Sequence, residues 1–299
     1  MARQQIAFVN SSLDGMGSYL LYRWLNPSNI IPYNDCNIKD FAKIIKAWLK
    51  KHNFDDYVVY IFGIGLNKME YIKLIDHKNV VIFDNHASHA DLKSNYKNAR
   101  AIVTEYSSTC RLIYNALFKK KDVKLEDSRK LLISLIDDYT SFDHKHIQSY
   151  QLNLISFKIY KNNIAAFITR FNNGFIGFTK EEKNVIAENE VYVNNHIEDL
   201  KIYKGTIEFD EEKFEVVSTF SRIFITEVTK HLIDEYGAEL VFIIDKDNNK
   251  IFFRKDREVV LDLGKFADAI ADGYGYDYAA SGKLTNTVIE YTKDLKPVI

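Results

Sequence analysis

Short runs of apolar residues alternate with amphipathic stretches over roughly the first 140 residues of the chain. Three runs, at residues 6–9, 57–62 and 80–83, are typical of buried strands because each ends in a polar or glycine-containing turn. Apolar positions recur at helical spacing elsewhere, and they predict helices after Gly15 and at 41–51, 68–75, 109–117 and 128–139. This alternation predicts βαβ units, and therefore a mainly parallel sheet with helices on both faces.

The rest of the chain predicts a helical segment and then a second α/β unit. Residues 147–203 contain few glycine or proline breaks and predict connecting helices. The C-terminal part predicts helices at 221–236 and 264–270, strands at 240–244 and 250–254, and a glycine- and aromatic-rich turn at 273–282. We therefore expect an α/β protein in three parts, at residues 1–146, 147–205 and 206–299.

The composition is that of an ordinary globular protein. The 299 residues suffice for two domains, and 40 basic against 41 acidic residues exclude a globally basic nucleic-acid-binding protein. Cys36 and Cys110 form no Cys-x-x-Cys pair, so neither a disulfide framework nor a cysteine zinc site is expected. Because no signal-peptide pattern or membrane-spanning apolar run is present, we expect a cytoplasmic protein with no membrane partner. The usage of Lys, Asn, Ile and Tyr indicates an AT-rich genome, such as that of a phage or a low-GC bacterium.

The turns at the carboxyl ends of the predicted strands carry the candidate chemistry, since ligands bind parallel sheets at that edge. The first turn reads Asn10-Ser-Ser-Leu-Asp-Gly-Met-Gly-Ser18, and its small residues lead into a helix start whose N–H groups favour an anion. The third turn reads Asp84-Asn85-His86. An acidic segment, Asp137-Asp-Tyr-Thr140, ends the predicted helix at 128–139.

Taken in order, these motifs resemble those of the DHH phosphoesterase superfamily, which includes single-strand exonucleases, nanoRNases, cyclic-dinucleotide phosphodiesterases and manganese-type pyrophosphatases. The first turn is similar to the family's His-x-Asp-x-Asp-Gly-x-Gly-Ser, and Asp84-Asn85-His86 stands in the place of Asp-His-His. The turn at 273–282 resembles the Gly-Gly-Gly-His-x-x-Ala-Ala-Gly signature of the DHHA1 domain, and Arg254 resembles its substrate-contacting arginine. The resemblance implies an N-terminal parallel-sheet DHH-type domain, a helical connector and a smaller C-terminal α/β DHHA1-like domain.

The metal-binding positions implied by the resemblance are mostly substituted. The family's hydrolysis uses two divalent ions, usually manganese, held by carboxylates and imidazoles. Asp14 alone keeps an anionic ligand, and the other five of the six positions are neutral: Asn10, Ser12, Gly63, Asn85 and Thr140. Neutral groups do not offset the charge of two dications, so we expect no family-type metal site and no cofactor, with Mn or Mg required if the protein is active.

The site residues implied by the resemblance fall into three groups. Residual catalytic positions are Asp14, Asp84 and His86. The expected substrate-binding residues are Ser12, Gly15, Gly17, Ser18, His86, Arg254, Gly273, Gly275, Tyr276, Ala279 and Ala280. If a single metal is bound instead, its expected ligands are Asp14, His86 and His89, and a second cluster consists of Asp143, His144 and His146 with Asp137 or Asp138.

Three functions remain open at this stage, and enzymatic activity is undecided. The first is a degenerate, catalytically impaired phosphoesterase that binds a nucleotide, a short oligonucleotide or a partner protein in a cleft between its domains. The second is an active metal-dependent phosphodiesterase with a rearranged site, acting on short oligonucleotides or cyclic dinucleotides. The third is a structural or assembly protein on the same fold, as a homo-oligomer or with a protein partner. The substituted metal positions favour the first.

Overall fold

The computed structural model describes residues 3–26, 31–104, 107–118, 123–141, 145–161 and 163–298, apart from the side chain of Ala87. It divides into two compact units, Met1–Ile186 and Ala187–Ile299. The finer division at residues 146 and 205 stays a prediction. Within the described residues, no helix combines the length and the apolar character needed to cross a membrane.

A five-stranded parallel sheet forms the centre of the first unit. Its spatial order is β2-β1-β3-β4-β5, with β1 at Gln4–Val9, β2 at Tyr33–Asp35, β3 at Tyr57–Phe62, β4 at Val80–Asp84 and β5 at Arg100–Val103. The predicted parallel sheet is confirmed, although β2 and β5 were not predicted because they are only three and four residues long. The chain leaves β1 toward β2 on one side and returns to β3 on the other, so the order reverses between β1 and β3. Ligands bind at such switch points.

Helices cover both faces of this sheet, because successive strand side chains point to opposite faces. The helices are α1 Leu13–Leu25, α2 Ile38–Leu49, α3 Met69–Ile75, α4 Ala87–Ala90, α5 Thr109–Ile113, α6 Asp127–Thr140, α7 Ile147–Ile155, α8 Ile164–Phe171 and α9 Lys180–Glu198. Single π-helical turns follow α5 and α7, at Tyr114–Phe118 and Ser156–Tyr160, and a 3₁₀ turn lies at Lys93–Asn95. Phe8 and Ile61 pack with α2 and α3 on one face, whereas Val9 and Phe62 pack with α1, α5 and α6 on the other.

The helices predicted between residues 147 and 203 are present as α7, α8 and α9. Apolar side chains of α7, α8 and the start of α9 join the core of the first unit, whereas Ile197, near the end of α9, packs with residues of the second unit. Glu182 is buried at the start of α9 and is bound by three neighbours. Arg170 donates from Nε and Nη2 at 2.9 Å each, Tyr160 donates at 2.9 Å and the amide of Thr179 donates at 2.7 Å. Burial alone would raise the pKa of Glu182, but these donors lower it. This paired charge joins α8 to α9.

The second unit contains a seven-stranded mixed sheet in the order β10-β11-β9-β8-β7-β6-β12. Its strands are β6 Ile202–Phe209, β7 Glu212–Phe220, β8 Leu240–Asp245, β9 Lys250–Lys255, β10 Tyr274–Tyr276, β11 Ala279–Lys283 and β12 Lys296–Pro297. Its helices are α10 Ile225–Tyr236, α11 Leu263–Ala271 and α12 Asn286–Thr292. Only β7 and β8 pair in parallel.

The predicted turn at 273–282 is wrong in its detail, because the segment forms the hairpin of β10 and β11. Tyr274 pairs with Ser281, and Tyr276 pairs with Ala279. A Cβ at Gly275 would lie 2.4 Å from the Ala279 carbonyl oxygen and from the Ala280 Cα. Gly275 therefore permits β10 and β11 to approach one another closely.

Replacing Arg170 tests the buried ion pair of the first unit. Arg170→Met leaves the buried carboxylate of Glu182 without its bidentate partner, so we expect the free energy of unfolding to fall by about 3–5 kcal/mol. Chemical denaturation followed by circular dichroism measures this change. Lys130→Met is the matched control, because the Lys130–Asp127 pair is exposed and contributes at most about 1 kcal/mol. Equal losses in both variants would contradict the assignment.

Candidate functional site

The turns after β1 and β3 meet at the switch point of the first sheet. Asn10 joins them: its Nδ2 donates to the carbonyl of Gly63 at 2.8 Å, and its Oδ1 accepts from the amide of Ser12 at 3.0 Å. Ser12 then caps α1, because its Oγ accepts from the amide of Gly15 at 3.1 Å. A side-chain amide has both a donor and an acceptor, so Asn10 completes both contacts.

Two glycines allow these turns to approach one another. Gly63 has φ of +63°, a conformation that glycine adopts without steric cost. A Cβ at Gly15 would lie 2.2 Å from the carbonyl oxygen of Asn10, so no side chain fits there. The turn after β4 is linked to the start of α5, since the Oγ1 of Thr109 donates to the Oδ1 of Asn85 at 3.2 Å.

Asp14 connects α1 to the start of α5. Its Oδ2 accepts from the amide of Thr109 at 2.9 Å, and its Oδ1 accepts from the amide of Cys110 at 2.8 Å. The side chain is buried. Burial raises the pKa of Asp14 to about 6, because desolvation outweighs the amide hydrogen bonds that favour the carboxylate.

The carboxylate of Asp84 lies between two imidazoles. The Nδ1 of His86 donates to Oδ1 and the Nδ1 of His89 donates to Oδ2, both at 2.8 Å. Because a carboxylate only accepts, each Nδ1 carries a proton, and the Nε2 of His89 lies within hydrogen-bond distance of the hydroxyl of Tyr96, at 2.9 Å. Asp84 and His89 are fully buried. Burial alone would raise the pKa of Asp84, but the two imidazoles lower it.

His86 is the member of this group that reaches solvent. Its side chain is 43% exposed, and within the described part of the chain its Nε2 makes no hydrogen bond. Its ring lies against Gly65, where a Cβ would come within 2.7 Å of the ring Cγ. Burial opposes the cationic form, but the hydrogen bond and charge of Asp84 raise the pKa of His86. The result is a fixed imidazole that favours a positive charge at the strand ends.

The described residues do not provide the ligands for the two metal ions that the resemblance implies. Each of the four oxygens of Asp14 and Asp84 accepts a hydrogen bond from a protein donor. Both ring nitrogens of His89 are also engaged. Among the described residues, no group of three or more His, Cys, Asp or Glu side chains is arranged to hold a metal.

The second cluster named from the sequence is also engaged by protein groups. Asp137 accepts from Ser108 and from the Nε of Arg111. Asp138 accepts from the amides of Lys145 and His146 and from the hydroxyl of Ser149. Asp143 and His144 lie outside the described residues.

Two of the expected ligand contacts on α1 lie inside the unit. Ser18 is fully buried, and a Cβ at Gly17 would lie 2.4 Å from the Cδ1 of Ile136. The small size of Gly17 serves the packing of α1 on α6, and the buried Oγ of Ser18 has no hydrogen-bond partner among the described residues. Ser12 is exposed at the start of the helix.

Strand pairing brings the expected residues of the second unit together. Arg254 pairs with Ala279, and Phe253 pairs with Ala280. The Nη1 of Arg254 donates to the carbonyl of Phe253 at 2.8 Å and to that of Ala280 at 3.2 Å. The ring of Tyr276 stacks on that of Tyr278 at 5.5 Å between centroids. A Cβ at Gly273 would lie 2.5 Å from the carbonyl oxygen of Ser281, so this glycine too permits close packing.

Similarity to known proteins is visible in the fold. No protein-family model matches the sequence, and no curated protein matches it. The DHH domain of a protein described as a member of a family of ribosomal proteins is 13% identical with a TM-score of 0.59, over 98% of this chain and 87% of that one. The pGpG-specific phosphodiesterase PggH from Vibrio cholerae is 13% identical with a TM-score of 0.56, over 97% and 96%. The chain therefore has the two-domain α/β fold of the DHH superfamily, as its motifs predicted.

The pH dependence of stability tests the burial of Asp14. A carboxyl whose pKa is raised on folding binds its proton more tightly in the native state, so stability falls as pH rises from about 4 to about 6. Relative to Asp14→Asn, the wild type should lose about 3 kcal/mol across this window, at about 1.4 kcal/mol per pKa unit. Urea denaturation in metal-free buffer at several pH values measures the difference.

Asp76 provides a control of opposite sign. It accepts from the amides of Lys97, Asn98 and Ala99, and although its slight burial acts in the other direction, these donors lower its pKa. Relative to Asp76→Asn, the wild type should therefore lose stability as pH falls below about 4. Curves of the same sign for both variants would refute the assignment for Asp14.

Proposed function

We propose that this protein is a degenerate phosphoesterase of the DHH fold that binds a phosphorylated nucleotide at the switch point of its first unit and does not hydrolyse it by a two-metal mechanism. The observation that carries the proposal is that, among the described residues, no group of three or more His, Cys, Asp or Glu side chains is arranged to hold a metal. Asp14 accepts from two backbone amides and Asp84 accepts from two imidazoles, so protein donors hold both carboxylates.

The charge of His86 supports an anionic ligand. Asp84 holds the ring by Nδ1, the raised pKa favours the cation, and the exposed Nε2 is then a donor at the carboxyl ends of β1, β3 and β4. A charge-assisted hydrogen bond to a phosphate oxygen is among the stronger polar contacts in proteins. The exposed hydroxyl of Ser12, in the neighbouring turn, is a second candidate contact.

Two features support a nucleotide as the ligand: the fold shared with a phosphodiesterase, and the guanidinium of Arg254 in the second unit. PggH, which shares the fold, is described as a phosphodiesterase specific for pGpG. In the second unit Arg254 uses Nη1 on the backbone, and its Nε and Nη2 make no hydrogen bond within the described residues. These two nitrogens form one edge of a guanidinium, which suits a phosphate or a base edge.

The first experiment separates binding from hydrolysis. The protein is incubated with pGpG, short RNA, cyclic dinucleotides and pyrophosphate, with and without manganese, and product is quantified by chromatography. We expect no manganese-dependent turnover, together with pGpG binding in isothermal titration calorimetry. Turnover that is lost in Asp14→Ala would support an active enzyme with a rearranged site. Absence of both turnover and binding would favour a structural or assembly role.

Replacing His86 tests the proposed contact. His86→Gln removes the cationic donor, so the dissociation constant for pGpG should rise roughly 10- to 100-fold. In the wild type, binding should weaken as pH rises through the raised pKa of His86, and the variant should lose this dependence. His77→Gln is the matched control, because His77 also faces an aspartate, Asp55, but precedes β4 at the opposite end of the strand. An unchanged affinity in His86→Gln would overturn the assignment.

A further inference from the structure

Behind His86 lies a buried series of hydrogen-bonded polar groups that does not itself contact the proposed ligand. It runs from the hydroxyl of Tyr96 to the Nε2 of His89, and from the Nδ1 of His89 to the Oδ2 of Asp84. His89 is fully buried, and its ring also lies 5.8 Å from that of Tyr96. A polar group that is buried at this depth must be hydrogen-bonded, but an apolar residue would fill the same space without that requirement.

The geometry gives this series a specific effect. Asp84 has two oxygens at fixed positions. Oδ1 accepts from the Nδ1 of His86 at 2.8 Å, whereas Oδ2 accepts from the Nδ1 of His89 at 2.8 Å and from the more distant amide of His86 at 3.4 Å. With Oδ2 held by His89, the carboxylate cannot rotate without breaking a buried hydrogen bond. Oδ1 therefore stays directed at the Nδ1 of His86, and the ring of His86 keeps its Nε2 toward the outside.

The orientation of His89 depends in turn on Tyr96. A neutral imidazole donates from one nitrogen and accepts at the other, so two partners of opposite kind determine its tautomer. Asp84 accepts from Nδ1 and Tyr96 donates to Nε2. The hydroxyl of Tyr96 lies 2.9 Å from Nε2, so it holds the side of the ring that is turned away from Asp84.

We propose that His89 and Tyr96 are positioning residues: together they fix Asp84, and through it the imidazole of His86, at the carboxyl end of β4. The inference rests on the proposed function of His86 in ligand binding. The site is thus preorganised before any ligand arrives.

The test reads the His86 ring directly in the free protein. With histidine ring nitrogens labelled with ¹⁵N, long-range proton–nitrogen spectra show which nitrogens carry protons, and solvent exchange reports how well the Nδ1 proton of His86 is protected. In the wild type we expect a protected Nδ1 proton on His86, and on His89 a protonated Nδ1 with a bare Nε2. In Tyr96→Phe and His89→Leu the Nδ1 proton of His86 should exchange faster, most in His89→Leu.

A conservative variant distinguishes positioning from packing. The side-chain amide of His89→Asn can donate to Asp84 from about the position of Nδ1, so the protection of His86 should be largely restored there. The dissociation constant for pGpG should rise about tenfold in His89→Leu, less in Tyr96→Phe and least in His89→Asn. Tyr96→Phe removes one oxygen atom and keeps the ring contact, so it provides a folded test protein if His89→Leu fails to fold.

The outcomes separate this inference from the proposed function. If His86 is protected equally in the wild type, Tyr96→Phe and His89→Leu, the positioning role is refuted whether or not pGpG binds. If the protection changes as expected but the wild type does not bind pGpG, the proposed function fails and the positioning of His86 stands. Loss of protection in His89→Asn equal to that in His89→Leu would assign the effect to packing and overturn the inference.

Discussion

The buried charge of Asp84 is the constraint on which the site depends. A carboxylate removed from water at the end of a strand is costly unless it is both paired and hydrogen-bonded. Two Nδ1–H groups at 2.8 Å satisfy its two oxygens here, and the hydroxyl of Tyr96 holds the inner imidazole in the required tautomer. The aspartate is therefore accommodated entirely by protein groups, and His86 is oriented as a consequence.

Neutral residues stand at several metal-ligand positions that the resemblance implies, and each of them makes hydrogen bonds or close contacts with neighbouring protein groups. Asn10 joins the turns after β1 and β3 through a donor and an acceptor, and Asn85 accepts from the hydroxyl of Thr109. Gly63 adopts a left-handed conformation beside the backbone of Gly15. Neutral groups that complete hydrogen bonds and close contacts of this kind stabilise the strand ends without a cation.

The sequence pattern predicted the parts of the fold in which burial is continuous. β1, β3 and β4 are apolar runs covered on both faces, and their ends located the candidate site. β2 is polar and three residues long, and β6 has only two buried positions, Ile202 and Ile207, five residues apart, so neither stands out from a loop or a helix by its local pattern. Tyr96 could not be predicted as a site residue, because its hydrogen bond to His89 depends on how the intervening turns fold. The contact of Asp14 with the amides of Thr109 and Cys110 spans about 95 residues and has no local signal.

The position of the site and its capacity for hydrolysis have different physical origins. The proposed protein can therefore bind a phosphorylated ligand at this position without hydrolysing it. The position of the site follows from strand order, since the chain reverses direction between β1 and β3 whatever residues end those strands. Hydrolysis needs more: a water must be deprotonated and the charge on the phosphoryl oxygens offset, and two dications do both. An imidazolium such as that of His86 offsets part of a phosphate charge and donates a proton, but it does not generate hydroxide at neutral pH. In the proposed site, one oriented imidazole would therefore attract a phosphate without supplying the means to activate the attacking water.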